Sequence, residues 1–261
     1  MRFPVFWVDA FADRPFTGNP AAVCVVPDWP DPDLMQSIAA EHNLSETAFI
    51  RPLEDREWEI RWMTPVTEVD LCGHATLASA AVVRRFLDPD VSNIRFRSRS
   101  GLLSVRFDGE DMEMDFPARP ALVADTKGAL ADALGTEPVS EWLADYYLAE
   151  LETESAVRDL NPHMGRVAAL GHTGVIVTAR GHDVDFVSRF FAPAAGVPED
   201  PVTGSAHCTL APFWAERLGK QDLLARQVSR RGGRVICRVR GDRVGIAGCA
   251  IHFMQGVIEL D

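Results

Sequence analysis

The sequence lacks several features that would mark common classes of protein. Its formal net charge is −12, whereas a general nucleic-acid binder needs clustered Lys and Arg. Its five cysteines are odd in number and scattered and never form a C-x-x-C pair, which favours a reducing compartment over secretion. No apolar run approaches about 18 residues, and Asp9 interrupts the N-terminus before a signal-peptide core could form. We therefore expect a cytoplasmic protein that binds small molecules, with no nucleic-acid or membrane partner.

Motifs for several familiar chemistries are also missing. The chain contains no G-x-G-x-x-G, no G-x-x-x-x-G-K-[ST], no H-E-x-x-H and no G-x-S-x-G. This argues against nucleotide-binding, zinc-protease and serine-hydrolase functions. Two Cys/His pairs could be drawn together as a zinc site: Cys72 with His74, and His207 with Cys208. Neither pair has the usual spacing of zinc ligands, so we predict no metal.

The 261 residues, 47% of them hydrophobic, suffice for one large domain or two ordinary ones. Helical spacing of apolar residues predicts a helix over residues 32–41, with Asp31 as its cap. Strand-like runs bounded by turn residues predict strands over residues 5–11, 21–26, 47–51, 57–63, 94–97, 102–107 and 112–116. Such a pattern is typical of an α+β fold.

The segment from residue 74 to residue 83 is almost entirely apolar. Its polar side chains besides the initial histidine are those of Thr76 and Ser79. A helix of this composition must be surrounded by protein on every side. The interior of a barrel of strands would provide that environment.

The second half of the chain resembles the first. Residues 185–193 and 57–65 each read as a strand ended by proline, and each leads to a glycine turn and an apolar helix. Self-similarity of this kind predicts two copies of one unit. Because prolines break the pattern at residues 117–120, we predict domains over 1–118 and 119–261, with a return of the final strand to the first domain as an alternative. A cleft between two such halves would be the natural ligand site.

A lone carboxylate, Glu46, enters a predicted strand between Leu44 and Phe49. Burial there would raise its pKa towards neutrality, so that one group could both accept and return a proton. The alternative interpretation is an exposed glutamate at the start of a strand.

Two glycine turns open the two apolar helices. Unpaired amides at a helix start bind anions such as a carboxylate, and Gly73 and Gly204 permit close approach. The positive helix end would keep His74 neutral, as a hydrogen-bonding group. Asp200 and Ser205 flank the second turn as substrate-binding or capping residues. Structural alternatives are a packing role for His74 and a small buried side chain at Cys72.

Four segments together resemble the phenazine-biosynthesis PhzF-like isomerase/epimerase family, and their order and spacing match across nearly the whole chain: Phe16-Thr17-Gly18-Asn19-Pro20, Ser45-Glu46-Thr47-Ala48, Asp70 to Thr76 and Glu199 to Ser205. The resemblance implies a diaminopimelate epimerase-like fold: two pseudo-symmetric barrels of strands, each wrapped around a central apolar helix, commonly as a homodimer. It implies Glu46 as the acid/base, His74 and Asp200 as catalytic partners, and Ser205, Gly73 and Gly204 as substrate-binding residues. The family's phenazine substrate does not carry over to this chain.

The sequence therefore predicts a cofactor-independent isomerase that moves a proton between carbons of a small carboxylate-bearing substrate. A first alternative is a cysteine-dependent amino-acid epimerase or racemase of the same fold, for which one half offers Cys72-Gly73 but the other offers Thr203-Gly204. A second alternative is a non-catalytic small-acid binding protein. Such a protein would keep the glycine turns without needing Glu46.

Overall fold

The computed structural model describes residues 1–172 and 174–260. The chain forms two compact units, residues 1–115 with 247–261 and residues 116–246. Within the described residues, no helix has both the length and the apolar composition to span a membrane. The domain limits expected above, 1–118 and 119–261, stay a prediction.

In its described residues, the first unit contains one sheet and two α-helices. Its elements are β1 (Arg2–Ala10), β2 (Asn19–Val25), α1 (Pro32–His42), β3 (Glu46–Pro52), β4 (Glu57–Met63), β5 (Glu68–Val69), α2 (Gly73–Val82), β6 (Asn93–Ser98), β7 (Gly101–Asp108) and β8 (Asp111–Pro117). The strands pair in the order β1–β2–β3–β4–β6–β7–β8, and β5 adds to β4. The pairs β2–β3 and β4–β6 are parallel and the others are antiparallel.

Within its described residues, the second unit contains the next nine strands and four α-helices. They are β9 (Leu122–Val123), α3 (Ala129–Leu134), β10 (Ser140–Leu143), β11 (Tyr147–Glu150), α4 (Glu154–Asp159), α5 (Met164–Ala168), β12 (Val175–Arg180), β13 (Phe186–Ala192), β14 (Val197–Asp200), α6 (Gly204–Leu218), β15 (Asp222–Gln227), β16 (Gly233–Arg240) and β17 (Arg243–Gly248). The last strand, β18 (Ala250–Glu259), belongs to the first unit and pairs antiparallel with β1.

The two units repeat one pairing pattern. In the first unit, pairs β1–β2, β2–β3, β3–β4, β4–β6 and β6–β7 alternate between antiparallel and parallel. In the second unit, pairs β10–β11, β11–β12, β12–β13, β13–β15 and β15–β16 alternate in the same order. In each unit the long apolar helix lies, along the sequence, between the two strands of the second parallel pair. Helix α2 lies between β4 and β6, and α6 lies between β13 and β15. Closure of each sheet into a barrel stays a prediction.

The predicted apolar helix is present as α2, which contacts β1, β2, β3 and β18. From His74 to Val82 every residue except Ala81 is buried. Its two hydroxyl side chains are satisfied by the helix backbone, since Thr76 and Ser79 donate hydrogen bonds to the carbonyls of Cys72 and Ala75. This bonding explains how a helix buried on nearly every side retains two hydroxyl groups.

The other predicted elements of the first unit are confirmed, with shifts of a few residues at their ends. The helix expected over 32–41 is α1, and the carboxylate of Asp31 caps it by accepting the amide of Asp33. The seven strands predicted in this unit are β1–β4 and β6–β8. The spacing of apolar residues and the capping residue were sufficient to predict these elements, because each element is continuous in sequence.

Candidate functional site

Glu46 and Asn19 are brought together at one end of the first sheet. Asn19 is the first residue of β2 and Glu46 is the first residue of β3, and these strands run parallel with Ala21 opposite Glu46. Parallel strands begin at the same edge of a sheet, so two residues far apart in sequence become neighbours. The Glu46 side chain is 19% exposed, neither fully solvated nor sealed in the core.

The imidazole of His74 lies between these two residues. Its Nε2 is 3.3 Å from Oε2 of Glu46. Its Nδ1 is 3.3 Å from Nδ2 of Asn19 and 3.5 Å from Sγ of Cys72. Of the residues predicted for the site, the structure therefore places Glu46, His74 and Gly73 together in the first unit, and it adds Asn19.

Burial sets the protonation state of His74. The residue is 5% exposed, and burial lowers its pKa to about 3, because the cation would lose its hydration. His74 is therefore neutral near pH 7, the form that the sequence argument expected. The dominant cause is desolvation rather than the positive end of the helix, the cause expected from the sequence.

The helix start beside this cluster carries no side-chain cap. Cys72 is the N-cap residue of α2, with extended backbone dihedrals, and its side chain accepts no hydrogen bond from the helix. The first amides of an α-helix have no carbonyl partners within the helix. The turn at Gly73 can thus offer N–H groups to an anion.

Asn19 was part of the motif that suggested the family but was not among the predicted site residues. The side chain is completely buried. Gly18 directs the chain into β2 with φ of +73°, and a Cβ at this position would lie 2.3 Å from the carbonyl oxygen of Ala10. Glycine is therefore required immediately before Asn19. The glycine-asparagine-proline turn was the signal in the sequence that could have identified it.

The second unit has a matching helix start at α6. Thr203 is its N-cap residue, again without a side-chain cap, and Gly204 is the first helical residue. The hydroxyl of Thr203 donates to Oδ2 of Asp200 at 2.6 Å. The Asp200 carboxylate thus contacts the N-cap residue of α6, and the capping role considered for Asp200 stays a prediction. Ser205 lies 3.1 Å from the hydroxyl of Tyr146, whose pKa is raised by burial.

A buried amide, Gln227, holds the turn before α6. Its Oε1 accepts the amide of Thr203 at 2.8 Å, and its Nε2 donates to the carbonyl of Asp200 at 2.8 Å. The same Nε2 lies 3.2 Å from Oγ1 of Thr203. Gln227 is completely buried at the end of β15, so these bonds have no competition from water. No local sequence pattern indicated this residue, because its partners lie more than twenty positions away.

Corresponding positions of the two helix starts use different residue types. Cys72 and Thr203 both occupy the N-cap position. Thr76 and His207 each lie four residues after the N-cap residue of their helix. The side chain of each forms a hydrogen bond with the carbonyl of that N-cap residue, at 2.6 and 2.8 Å respectively. His207 is completely buried, and burial lowers its pKa to about 4. The second unit thus has a hydroxyl where the first has a thiol.

Metal-ligand atoms also meet in the first unit. Among residues 1–172 and 174–260, one group of potential ligands lies within 4.8 Å of one another: Glu46, Cys72 and His74. However, Cys72 approaches Nδ1 of the imidazole and Glu46 approaches Nε2. Ligand atoms from all three residues nevertheless lie within the spacing that one ion could bridge. The absence of a metal therefore stays a prediction.

Comparisons with known proteins agree with the resemblance seen in the sequence. The family model described as phenazine biosynthesis-like protein matches residues 8–256. An uncharacterized isomerase of Pseudomonas aeruginosa is 50% identical over 260 residues, covering the whole of both chains. A crystal structure of a PhzF-family phenazine biosynthesis protein from Enterococcus faecalis superimposes with a TM-score of 0.97 at 43% identity, also over both whole chains.

A more distant likeness concerns the fold alone. The hydroxyproline epimerase of Agrobacterium vitis superimposes on this chain with a TM-score of 0.64 at 11% sequence identity. The superposition covers 100% of this chain and 93% of the epimerase chain. The mixed α/β fold is thus shared with epimerases, as the expected fold class implied.

Proposed function

The chain belongs to the phenazine biosynthesis-like family and is an isomerase, and we propose that it moves a proton between two carbons of a small carboxylate-bearing substrate, with Glu46 as the acid/base. One observation carries the proposal: the partly exposed carboxylate of Glu46 lies 3.3 Å from the buried, neutral His74 at the start of α2. A carboxylate in that position can reach a bound molecule while its partner stays uncharged.

The proposed step needs only the carboxyl group of Glu46. Its carboxylate accepts a proton from a carbon of the substrate, and the electron pair of the broken C–H bond delocalises into the adjacent unsaturated system. The carboxylic acid then returns the proton to a second carbon, which restores the charge of both partners. No metal or organic cofactor enters this scheme.

The other predicted residues take supporting roles. Amides at the helix starts of Gly73 and Gly204 are proposed to bind the substrate's negative charge, which the lack of side-chain caps on both helices supports. Asp200 is proposed as a second catalytic polar group, and Ser205 as a hydrogen-bonding group for the substrate. The homodimer expected from the family resemblance stays a prediction.

The epimerase alternative is weakened by the second unit. Two-base epimerisation of this kind uses one cysteine from each half, and Thr203 occupies the N-cap position that corresponds to Cys72. A threonine hydroxyl is a far weaker acid than a thiol, so it would not serve as the second base. A non-catalytic binding protein would not require a carboxylate beside His74.

The test combines a substrate screen with one substitution. Unsaturated, hydroxy and amino acids are incubated with the protein in D2O, and proton NMR detects deuterium uptake at carbon and movement of a double bond. We expect at least one acid to react with the wild type. Glu46→Gln should bind that acid, as followed by ligand line broadening, but lose turnover by on the order of 10²-fold or more, because the amide has no transferable proton.

Glu41→Gln is the matched control. It makes the same chemical change at an exposed residue of α1, five positions earlier, and should leave turnover unchanged. Full activity of a folded Glu46→Gln variant would contradict the assignment of the base.

A further inference from the structure

The surroundings of His74 differ at its two ring nitrogens. On one side, Nδ1 lies 3.3 Å from Nδ2 of Asn19. An amide nitrogen carries two protons and accepts no hydrogen bond, so Nδ1 must be the acceptor of this contact. A neutral imidazole has a single N–H, which then belongs to Nε2. The thiol of Cys72, 3.5 Å from Nδ1, can also donate and is compatible with this arrangement.

The opposite side of the ring is compatible with the same assignment. Nε2 lies 3.3 Å from Oε2 of Glu46, and an ionised carboxylate can only accept. One neighbour of His74 is therefore a donor and the other an acceptor, each at the nitrogen that suits it. We propose that Asn19 is a positioning residue that fixes His74 in the tautomer with its proton on Nε2, the ring nitrogen on the side of Glu46.

Asn19 is well placed for this role. It is completely buried, and its backbone is held in β2, opposite Ala10 of β1. The required glycine at position 18 sets where β2 begins. The amide cannot easily be replaced by water, because the whole residue is shielded from solvent. A buried donor at Nδ1 imposes one tautomer more firmly than a solvated one would.

The consequence concerns the acid/base itself. A proton on Nε2, the nitrogen 3.3 Å from Oε2 of Glu46, stabilises the carboxylate electrostatically before it accepts a proton. In the other tautomer, the lone pair of Nε2 would face the carboxylate and repel it. This catalytic consequence rests on the proposed role of Glu46, whereas the tautomer itself can be measured without any substrate.

The tautomer is read directly by NMR. In the 15N-labelled full chain, long-range 1H–15N correlations distinguish a protonated from an unprotonated ring nitrogen, because the unprotonated nitrogen resonates far downfield. His74→Gln identifies which of the seven histidine spin systems belongs to His74. Near pH 7 we expect an unprotonated Nδ1 and a protonated Nε2. A wild-type spectrum with the proton on Nδ1, or with both nitrogens protonated, would overturn the proposal.

Asn19→Asp tests whether Asn19 is the cause. A carboxylate accepts only, so Nδ1 should become protonated, and its resonance should move upfield to the protonated position. Asn93→Asp, the same change at an exposed strand residue of this unit, should leave the His74 resonances at their wild-type positions. An unprotonated Nδ1 that persists in folded Asn19→Asp would refute the role of Asn19. If Asn19→Asp does not fold, the wild-type spectrum still decides the tautomer.

Activity provides the second measurement. With the acid found in the D2O screen, Asn19→Asp should lower kcat by on the order of 10²-fold, while Asn93→Asp stays at the wild-type value. Wild-type kcat in an Asn19→Asp variant with a protonated Nδ1 would show that the tautomer does not matter for turnover. Failure of the proposed function would appear differently, as an active Glu46→Gln variant, and would leave the tautomer measurement intact.

Discussion

Acidification should destabilise this protein through two buried histidines. Burial lowers the pKa of His74 to about 3 and that of His207 to about 4, while both groups have ordinary pKa values near 6.5 in the unfolded chain. Since each folded-state pKa is depressed, the unfolded chain takes up protons first as the pH falls. Their full contribution to stability is thus present above pH of about 6.5, and it is lost progressively as the pH falls towards the folded values.

The size of the effect follows from those values. At about pH 5, an unfolded histidine is protonated while the folded-state groups of His74 and His207 remain neutral. The unfolded pKa lies about 1.5 units above that pH, so each histidine costs about 2 kcal/mol of unfolding free energy relative to neutral pH. Two histidines acting independently would remove about 4 kcal/mol, a large share of the stability of an ordinary domain.

Urea unfolding near pH 7.5 and near pH 5 measures this loss. His207→Gln keeps a donor for the carbonyl of Thr203 but has no titrating group. The variant should therefore lose about 2 kcal/mol less than the wild type on acidification. His163→Gln removes an exposed histidine and should follow the wild type. Equal losses in His207→Gln and the wild type would show that His207 is protonated in the folded state and would refute the reasoning.

Two further predictions concern chemistry at the helix start of α2. Cys72→Ala should cost a little stability, about 1 kcal/mol, and keep substantial turnover, because the sulfur packs in a buried position and the proposed proton transfer uses Glu46. A folded Cys72→Ala protein without activity, alongside an active Glu46→Gln, would establish the epimerase alternative. Chelators such as EDTA should leave turnover unchanged, as measured in the same NMR assay; stoichiometric zinc whose removal abolishes activity would contradict the metal-free scheme.

Much of the local structure could be predicted from the sequence. The cap at Asp31, the proline that follows it and the apolar spacing of α1 are all contiguous signals. The composition of α2 indicated full burial because no face of that helix could meet water. The order of four short motifs indicated the family, which the matched family model confirms.

The contacts that make a site could not be predicted in the same way. Asn19 and His74 are 55 positions apart in the sequence. They are in contact because β2 and β3 run parallel and begin beside α2. Gln227 holds the turn at Asp200 because β15 ends beside it. Local propensities do not determine which distant strand ends become neighbours; strand pairing does.

The state of His74 shows the same division. Its residue type and its place after Gly73 were visible in the sequence, and they suggested a neutral hydrogen-bonding group. Only the tertiary structure encloses the ring so completely that desolvation lowers its pKa to about 3. Only the tertiary structure, too, places an amide donor at one ring nitrogen and a carboxylate at the other, because these groups come from separate strands brought together by the sheet.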